Sequence, residues 1–319
     1  MIDNLFKPIE NAWARCVDMR LSYLIVREIS MVTSQKILAS LTVLLAIAGV
    51  MRAENTYTLI DYPGAVQTTA LGLDVHGDVA GWYVDDSGVN HGFVLIDGVF
   101  SSVDVPGAKN TLVGGINASH QIVGIYSDQN FATHGFVMDG PVGAVTTIDY
   151  PGADDTYAYH VNDRGMNSKG QIVGWYIVGG KEHGFLYTDG DYTKLDPPGT
   201  FDGVTLGDIN NTGGIVGSAD TGLNHHGFHY GHGVFKPVKF PGAESTAAVG
   251  LNDRGVVVGY FSSRGGASRC FALVKGHFYT IPFPRSYTTY CTKINDSGQV
   301  VGWVLDLQKV THGFLISPP

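Results

Sequence analysis

Basic residues are scarce in this sequence. Only 15% of its 319 residues are charged, and 20 Lys and Arg stand against 29 Asp and Glu, which gives a formal net charge of −9. No cluster of Lys or Arg occurs after residue 55. Nucleic acids and anionic membrane surfaces attract basic protein faces, so the sequence predicts neither as a partner.

Cysteine is rare as well, with three residues in the chain and no Cys-x-x-Cys motif or zinc-finger spacing. Cys16 lies in an N-terminal leader, so a processed chain would keep only Cys270 and Cys291. In an oxidising compartment these two could form a disulfide. The alternative is two separate buried thiols that act as small apolar residues.

The common catalytic motifs are missing. The sequence contains no Gly-x-Ser-x-Gly, no His-Glu-x-x-His, no phosphate-binding loop and no dinucleotide-binding glycine pattern. Helical periodicity is also missing after residue 55. These absences favour a binding protein over an enzyme, and they predict neither a cofactor nor a resident metal ion.

One apolar run lies near the N-terminus, between Ile37 and Val50, and Lys36 precedes it. The run is short for a membrane span and typical of the apolar region of a signal peptide. Cleavage after Ala48 or after Ala53 would fit the small residues that follow. The alternative is an N-terminal membrane anchor.

This run divides the chain into two parts. We expect residues 1–53 to be a leader and signal peptide, in which residues 1–30 are a mis-assigned start upstream of Met31. Residues 55–319 would form a single domain. That domain would be secreted to the cell exterior or the periplasm and would have no membrane span after signal removal.

Three short words recur in constant order through this domain. His-Gly-Phe recurs at intervals of 43 or 49 residues, with one degenerate copy at Arg269-Cys270-Phe271. The second word is Asp-x-Pro-Gly, and the third is Asn-x-x-Gly-x-Val/Ile-Val-Gly, with Asp74 in place of Asn in its first copy. The histidines of the first word are His91, His134, His183, His226 and His312. A fixed period of this length indicates a repeat architecture.

Each unit reads as four short strands separated by turn residues. Asn-Asp-x-Gly links the first strand to the second, and Asp-Gly links the third to the fourth, as at Asp97-Gly98. Four-stranded antiparallel units of about 40–45 residues are typical of propeller blades. The sequence thus predicts an all-β, six-bladed β-propeller. Its last unit lacks a fourth strand, and residues 57–61 form a fourth strand without a unit, so we expect this N-terminal strand to complete the last blade.

The three words together resemble the HAF-type extracellular repeat family of bacteria. The resemblance covers residues 56–317 and lies in the His-Gly-Phe, Asp-x-Pro-Gly-Ala and Asn-Asp-x-Gly-x-Val-Val-Gly words. It implies an exported, propeller-like repeat array. It implies no particular activity, because that family carries none that is well defined.

Residues that recur in every unit are expected to serve the scaffold. A histidine in each blade is too far from the others for all to bind one ion, so we interpret the His-Gly-Phe histidines as hydrogen-bonding groups at neighbouring turns. The Asp of Asp-x-Pro-Gly would fix the link to the next blade, with a calcium ligand as the alternative. The aromatic residues after Val-Gly would form the core between blades, with sugar-binding platforms as the alternative. They are Trp82, Tyr83, Trp175, Tyr176, Tyr260 and Trp303.

Residues that break the repeat are the candidates for function. The loops between second and third strands vary most, and they contain Asp85, Asp86, Asp220 and Arg264.

The first strands should be innermost, and Asp208 and Lys293 there replace the glycine of other units. These two residues would either belong to a functional site or form an ion pair that lines the central channel. An extra segment at residues 161–165, preceded by Tyr157 and His160, interrupts the third unit.

Two functions remain open from sequence. The first is a non-catalytic secreted scaffold that binds an extracellular polysaccharide or protein through its variable loops. The second is a hydrolase or lyase that acts on glycans or lactones at the channel mouth. The second requires acid–base residues to converge there, and Asp208, Lys293, His160 and Asp220 are its candidates.

Overall fold

The computed structural model describes residues 55–161 and 171–319, and within them the repeat words form hairpins. At Asp97-Gly98 the φ angles are 50° and 77°, and at Asp189-Gly190 they are 51° and 95°. Two successive positive φ angles are the mark of a type I′ turn, which suits the twist of paired strands. The Asp-Gly pairs therefore close hairpins, as their sequence predicted.

The first three blades follow one another along the chain, and each is an antiparallel sheet whose strand order follows the sequence. Blade one consists of β2 (Gln67–Leu73), β3 (Val79–Val84), β4 (Asn90–Ile96) and β5 (Val99–Val103). Blade two consists of β6 (Asn110–Ile116), β7 (Gln121–Ser127), β8 (Thr133–Asp139) and β9 (Val145–Ile148). Blade three consists of β10 (Asp155–Val161), β11 (Ile172–Val178), β12 (Lys181–Thr188) and β13 (Asp191–Lys194).

The last three blades repeat this plan with two differences. Blade six takes one strand from the other end of the described chain, and a single parallel pairing of His226 with Thr246 joins blades four and five. Blade four consists of β14 (Gly203–Ile209), β15 (Ile215–Thr221), β16 (Asn224–Gly231) and β17 (Val234–Pro237). Blade five consists of β18 (Ser245–Leu251), β19 (Val257–Ser262), β20 (Arg269–Val274) and β21 (His277–Ile281). Blade six consists of β22 (Ser286–Ile294), β23 (Val300–Asp306), β24 (Thr311–Ser317) and β1 (Thr56–Ile60).

The blades form a closed ring. β1 pairs with β24 as the outer strand of blade six. The first strands of neighbouring blades contact one another around the ring, including β2 of blade one with β22 of blade six. The prediction of a six-bladed propeller completed by the N-terminal strand is therefore confirmed, and pairing of β1 leaves β24 without an exposed edge.

The core lies between blades. The phenylalanine of each His-Gly-Phe word is buried, with exposed fractions of 0–4%. The preceding glycine allows close approach: a Cβ on Gly92 would lie 2.6 Å from Cγ2 of Val113 in the next blade. This word is thus conserved from blade to blade because it packs each blade against the next.

Cys270 takes the place of this glycine in blade five. Cys291 takes the place of Val113 in blade six, because each pairs with the glycine of its neighbouring second strand. The two cysteines form a disulfide with a Cα–Cα distance of 5.4 Å, and both are buried. A covalent bond therefore occupies the place where other blades pack a glycine against a side chain of the next blade, such as Val113, Ala158 or Leu206.

The Asn of the third word links neighbouring blades. Its Oδ1 accepts hydrogen bonds from the backbone of its own turn, for example from Thr212 and Gly214 to Asn210. Its Nδ2 donates to the next blade, from Asn210 to the carbonyl of Asn252 and from Asn252 to that of Asn295. These buried bonds fix the relative position of the blades.

No helix among residues 55–161 and 171–319 is long and apolar enough to cross a membrane. The predicted leader at residues 1–53 lies outside the described residues, and so does the extra segment at residues 161–165, except for Val161.

Candidate functional site

The propeller has two different faces. The turn face carries the links between first and second strands and between third and fourth strands, as shown by a hydrogen bond from Gly140 to the carbonyl of His120. The loop face carries the other two kinds of link. There His91, at the start of a third strand, contacts Asp104, which follows a fourth strand.

The His-Gly-Phe histidines and the Asp-x-Pro-Gly aspartates contact each other on the loop face. In four blades the Nδ1 atom of histidine lies 2.8–2.9 Å from an Asp oxygen. The pairs are His91–Asp104, His134–Asp149, His183–Asp196 and His312–Asp61. In blade four, where Lys239 replaces the aspartate, His226 contacts the hydroxyl of Thr221 at 2.6 Å. This one interaction thus explains both the His-Gly-Phe and the Asp-x-Pro-Gly words. The aspartates for which calcium binding was the alternative are in contact with histidines instead.

Asp208 and Lys293 form an ion pair across the ring. Lys293 Nζ lies 2.6 Å from Asp208 Oδ1, and the side chains are 4% and 0% exposed. Asp208 Oδ2 also accepts a hydrogen bond from the backbone of Leu251, so this carboxylate joins blades four, five and six. Burial raises the pKa of Asp208, although Lys293 acts in the opposite direction. Since both groups are buried and engaged, their arrangement is that of a channel-lining ion pair.

A cavity of about 280 Å³ opens among the inner strands toward the loop face. Its polar groups include Gln67, Thr69 and Thr311, and two of its walls are Trp82 and Trp303. We call this the mouth cavity. Leu71, Leu112, Val113, Ile125 and Ala158 complete most of its lining. A mostly apolar cavity with aromatic walls and a few polar groups has the character of a small-molecule site.

The aromatic pairs after Val-Gly divide between core and cavity. Tyr83 stacks on Tyr62 at 3.7 Å and Tyr176 stacks on Tyr150 at 3.6 Å, as expected for the core between blades. Trp82 and Trp303 lie on the opposite side of their strands, are partly exposed and line the mouth cavity. Interpreting all of these aromatics as inter-blade core was therefore wrong for the two tryptophans, because alternate residues of a strand face opposite sides.

Titratable groups gather on the loop face of blades three and four. His225 Nδ1 lies 2.7 Å from Asp220 Oδ1, and the hydrogen bond to Asp220 raises the pKa of His225. Burial, and then the charge of Asp220, raises the pKa of Glu182. The Glu182 carboxylate lies close to Gly203, where a Cβ would be 2.8 Å from Oε2, so a side chain at this position would displace the carboxylate. We call Glu182, Asp220 and His225 the acidic cluster.

Of the acidic cluster, Glu182 lines a second cavity of about 210 Å³, together with His183, Asp196, Phe201 and Asp202, among others. The links beside it are short. In blade three only Gly179 and Gly180 separate β11 from β12, and in blade four only two residues separate β15 from β16. Gly179 and Gly180 both have positive φ angles, which form this tight turn. Because the links are short, the acidic cluster lies at the edge of the loop face.

The other predicted residues lie apart from these cavities. Asp85 accepts hydrogen bonds from Val89 and Ser87 in its own turn, which lower its pKa to about 2. Asp86 and Arg264 are exposed on separate loops of the loop face. Asp85, Asp86 and Arg264 therefore do not form a common site.

The candidates in blade three have different positions. Tyr157 stacks on Trp175 with ring centroids 5.0 Å apart. His160 belongs to β10, but its side chain lies outside the described residues.

Sequence reasoning missed Glu182 and His225. Both occupy the position before His-Gly-Phe, where the other units have Asn90, Thr133, Ser268 and Thr311. Two ionisable residues at a repeat position that is uncharged in the other units are a signal that the sequence does contain. The sequence places both at the ends of variable loops, but it does not show that Glu182 of one blade and His225 of the next lie near each other.

Several solved structures share this propeller fold. AofleA from Arthrobotrys oligospora matches with a TM-score of 0.51 and 13% identity, over 82% of this chain and 86% of AofleA. SapL1 lectin, solved in complex with alpha methyl fucoside, matches with a TM-score of 0.51 and 10% identity, over 80% of this chain and 96% of the lectin. TolB from Acinetobacter baumannii matches with a TM-score of 0.53 and 14% identity, over 76% of this chain and 64% of TolB. At these identities the similarity extends to the fold.

No protein-family model matches the sequence, and no curated protein matches it.

Proposed function

We propose that this protein is an exported, non-catalytic scaffold that binds carbohydrate at the mouth cavity on its loop face. The observation that carries the proposal is the presence of Trp82 and Trp303 in a cavity of about 280 Å³ that also contains Gln67, Thr69 and Thr311. Aromatic faces pack against the apolar face of a sugar ring, and hydroxyl and amide groups bind its hydroxyls.

The size of the cavity sets the size of the ligand. Small-molecule sites span roughly 300–1,000 Å³. The mouth cavity, at about 280 Å³, lies just below that range and suits one sugar unit of a larger chain. The rest of the glycan would extend over the variable loops. An extracellular glycan is the partner we favour, and an extracellular protein is the alternative.

The resemblance to the HAF-type repeat family and the leader support export. We propose that residues 1–53 are removed and that residues 55–319 act as one secreted domain. The buried disulfide between Cys270 and Cys291 supports an oxidising compartment outside the cytoplasm. The fold likeness to SapL1 lectin makes alpha methyl fucoside a sensible first probe, although the ligand here follows from the cavity itself.

The test is a glycan array followed by titration calorimetry with alpha methyl fucoside and the best array ligand. The variants are Trp82→Ala and Trp303→Ala, and the matched control is Trp175→Ala, which removes the same side chain from the same strand position of blade three. We expect each of the first two variants to weaken binding at least about tenfold, as the loss of an aromatic anchor would. Binding by Trp175→Ala should remain within about twofold.

Thermal unfolding shows whether each variant is folded. If a glycan binds equally well to wild type and to the folded double variant Trp82→Ala/Trp303→Ala, the mouth cavity is not its site. If neither the array nor fucoside shows binding to wild type, carbohydrate binding itself is contradicted.

A hydrolase is the second candidate, and the acidic cluster is what favours it. A half-buried carboxylic acid with a raised pKa suits a general acid, which is the role of Glu182 in this proposal. His225, oriented by Asp220 at 2.7 Å, would position the attacking water. Asp208 and Lys293 have no role in it, because both are buried in the ion pair.

Turnover separates the two candidates. A panel of aryl glycosides and lactones would be assayed with wild type, with Glu182→Gln and with the control Glu244→Gln, which alters a carboxylate in the link before blade five. Hydrolysis by wild type that Glu182→Gln abolishes and Glu244→Gln retains would establish the enzyme. Glycan binding without hydrolysis would establish the scaffold.

A further inference from the structure

Three residues on the turn face break the repeat and meet in space. Asp74 and Asp78 lie in the first link of blade one, and His120 lies in the same link of blade two. One carboxylate oxygen from each aspartate and one ring nitrogen of His120 lie within 4.8 Å of one another. Among the residues that the structure describes, this is the one His/Asp group with such spacing.

Each of the three is an exception at its position in the repeat. Asp74 stands where the other units have Asn, and His120 stands where they have Gly. Asp78 stands where the others have an uncharged residue, such as Gln121 or Gln299. Three independent departures from a repeat that converge at one point indicate a local function and not a structural need of the blade.

Asp74 supplies an oxygen without a partner. Its Oδ1 accepts hydrogen bonds from the backbone of His76, Gly77 and Asp78, just as Asn Oδ1 does in other units. Its Oδ2 therefore takes the place of the Asn Nδ2. This oxygen is buried and has no hydrogen-bond partner, and the whole residue is 0% exposed.

The replacement of Asn Nδ2 by Asp74 Oδ2 puts a hydrogen-bond acceptor where the other units have a donor. In blades four, five and six the Asn Nδ2 donates to a backbone carbonyl of the next blade. An ionised carboxylate oxygen in that place cannot donate such a bond, and in blade one it is buried without a partner. A cation beside Oδ2 would compensate for the missing hydrogen bond.

The remaining two residues are held in positions that suit a metal ion. Asp78 Oδ1 accepts a hydrogen bond from the backbone of Asp97, and Asp78 Oδ2 lies 3.1 Å from His120 Nε2. Two ligands about 2.1 Å from a tetrahedral ion are separated by about 3.4 Å. The Asp78–His120 distance of 3.1 Å is that of a hydrogen bond and differs from this separation by only about 0.3 Å, so a small movement would let both atoms bind one ion.

His120 also has an unusual backbone. Its φ is 58°, whereas the equivalent residues Gly77, Gly213, Gly255 and Gly298 have φ between 74° and 95°. A residue with a Cβ is strained in this region, and glycine is not. The histidine is therefore kept at a position where the backbone favours glycine, and its side chain projects toward the neighbouring blade.

We propose that Asp74, Asp78 and His120 bind a divalent transition-metal ion, of which zinc is the best match, and that the ion joins blades one and two on the turn face. Imidazole nitrogen with two carboxylates suits zinc and its neighbours better than calcium, which prefers oxygen ligands alone. Three protein ligands leave a coordination position open, and His120, whose side chain is 42% exposed, provides access from solvent. The site is separate from the mouth cavity, so its test does not depend on the proposed function.

The experiment uses purified protein without a histidine tag, stripped with EDTA and dialysed against zinc chloride. Bound zinc is measured by mass spectrometry, and affinity by titration calorimetry. The variants restore the residue of other units: Asp74→Asn, Asp78→Gln and His120→Gly. The matched control is Asp97→Asn, which removes a carboxylate from the same face, at a turn position with φ 50° that Asn also tolerates.

We expect one zinc ion per chain in the wild type and in the control. Each restoring variant should bind zinc at least about tenfold more weakly, as the loss of a ligand predicts. Zinc should raise the thermal unfolding temperature of the wild type and leave that of the restoring variants unchanged. In EDTA, His120→Gly should unfold at or above the wild-type temperature, which shows that it folds.

Two results would overturn the proposal. One is a wild-type protein that takes up no stoichiometric zinc, nor manganese or nickel offered in its place. The other is a folded triple variant that binds zinc as tightly as the wild type, which would locate the ion elsewhere.

Discussion

At the scale of single residues, the contact between histidine and aspartate on the loop face explains why two repeated words occur together. His91 is held by Asp104 at 2.8 Å and by Asp85 at 3.4 Å, and its ring stacks on Tyr83. The same Nδ1–Asp contact recurs in three further blades. Because the histidine starts the third strand and the aspartate follows the fourth, each contact fixes the outer hairpin of one blade.

His91→Ala should lower the free energy of unfolding by about 1 kcal/mol, the usual contribution of one hydrogen bond. Burial lowers the pKa of His91, but its contacts with Asp104 and Asp85 outweigh burial and raise it overall. A group whose pKa is raised by folding stabilises the protein fully below its unfolded value of about 6.5, and this contribution is lost as the pH rises through the folded pKa. The cost of the substitution should therefore be larger in mild acid than in mild base.

Urea denaturation at several pH values measures this cost, and His232→Asn, at an exposed turn with φ 51°, is the control. A cost that does not depend on pH, or that grows toward high pH, would contradict an ionic contribution. A double-mutant cycle with Asp104→Ala isolates the pair, and a coupling energy near zero would exclude the contact as its source.

At the scale of strands, the ring depends on β1. This strand lies at the outer edge of blade six, and Asp61, just after it, contacts His312 at 2.9 Å. His312 and Asp61 thus make in blade six the contact that His91 and Asp104 make in blade one, and they come from the two ends of the described chain. The closure uses the same strand pairing and the same side-chain contact as every other blade.

Deletion of residues 55–62 should expose β24 as an unpaired edge and cause aggregation or loss of cooperative unfolding. Size-exclusion chromatography and calorimetry measure both effects. The point variant Asp61→Ala removes only the contact with His312 and should remain monomeric with a modest loss of stability. A deletion protein that stays monomeric with an unchanged unfolding temperature would contradict closure by β1.

The disulfide joins two strands of different blades. β20 of blade five carries Cys270 and β22 of blade six carries Cys291, 21 positions apart in sequence. In blades two and three the equivalent residues are Gly135 and Ala158, and a Cβ on Gly135 would lie 2.8 Å from Ala158 Cβ. The proximity that the bond needs is therefore a property of every junction between blades.

Reduction of the disulfide should lower the free energy of unfolding by about 3 kcal/mol on the chain-entropy estimate. The double variant Cys270→Gly/Cys291→Ala copies the junction of blades two and three, so it should fold and lose a similar amount. Calorimetry with and without reductant measures the effect. An unfolding temperature that reductant does not change, while peptide mapping shows free thiols, would contradict a stabilising bond.

At the scale of the whole molecule, the ion pair of Asp208 and Lys293 connects blades that are not neighbours. It joins blade four to blade six, and the hydrogen bond from Leu251 adds blade five. A buried pair of this kind costs desolvation energy, so it is better understood as setting the arrangement of the blades than as a source of net stability.

Lys293→Met should lower the free energy of unfolding by about 3–5 kcal/mol, because it leaves the buried Asp208 without its counter-charge. The double variant Asp208→Asn/Lys293→Met should recover most of this loss, since Asn keeps an acceptor and carries no charge. Urea denaturation of the three proteins measures the difference. Equal losses in the single and double variants would show that packing, and not charge, decides stability at this point.

The sequence alone determined the architecture. Fixed words at a period of 43 residues specify six four-stranded units, and turn residues such as Asp97-Gly98 specify the hairpins, because both signals are local and act within a few residues. The last unit lacks a fourth strand and an extra strand precedes the first unit. Together these two features predict that the N-terminal strand closes the ring.

Only the tertiary structure decided which exceptions to the repeat meet. Asp208 and Lys293 are 85 positions apart and Asp78 and His120 are 42 apart, yet each pair is in contact. The sequence does not single out Glu182 or His225. For Trp82 it favours the core between blades over a sugar-binding platform, whereas in the structure Trp82 lines the mouth cavity. The distance between side chains of different blades depends on the β-bulge in each first strand and on how the blades pack against one another. The period of the repeat specifies neither, so the repeat predicts the scaffold, whereas the packing of the blades determines the sites.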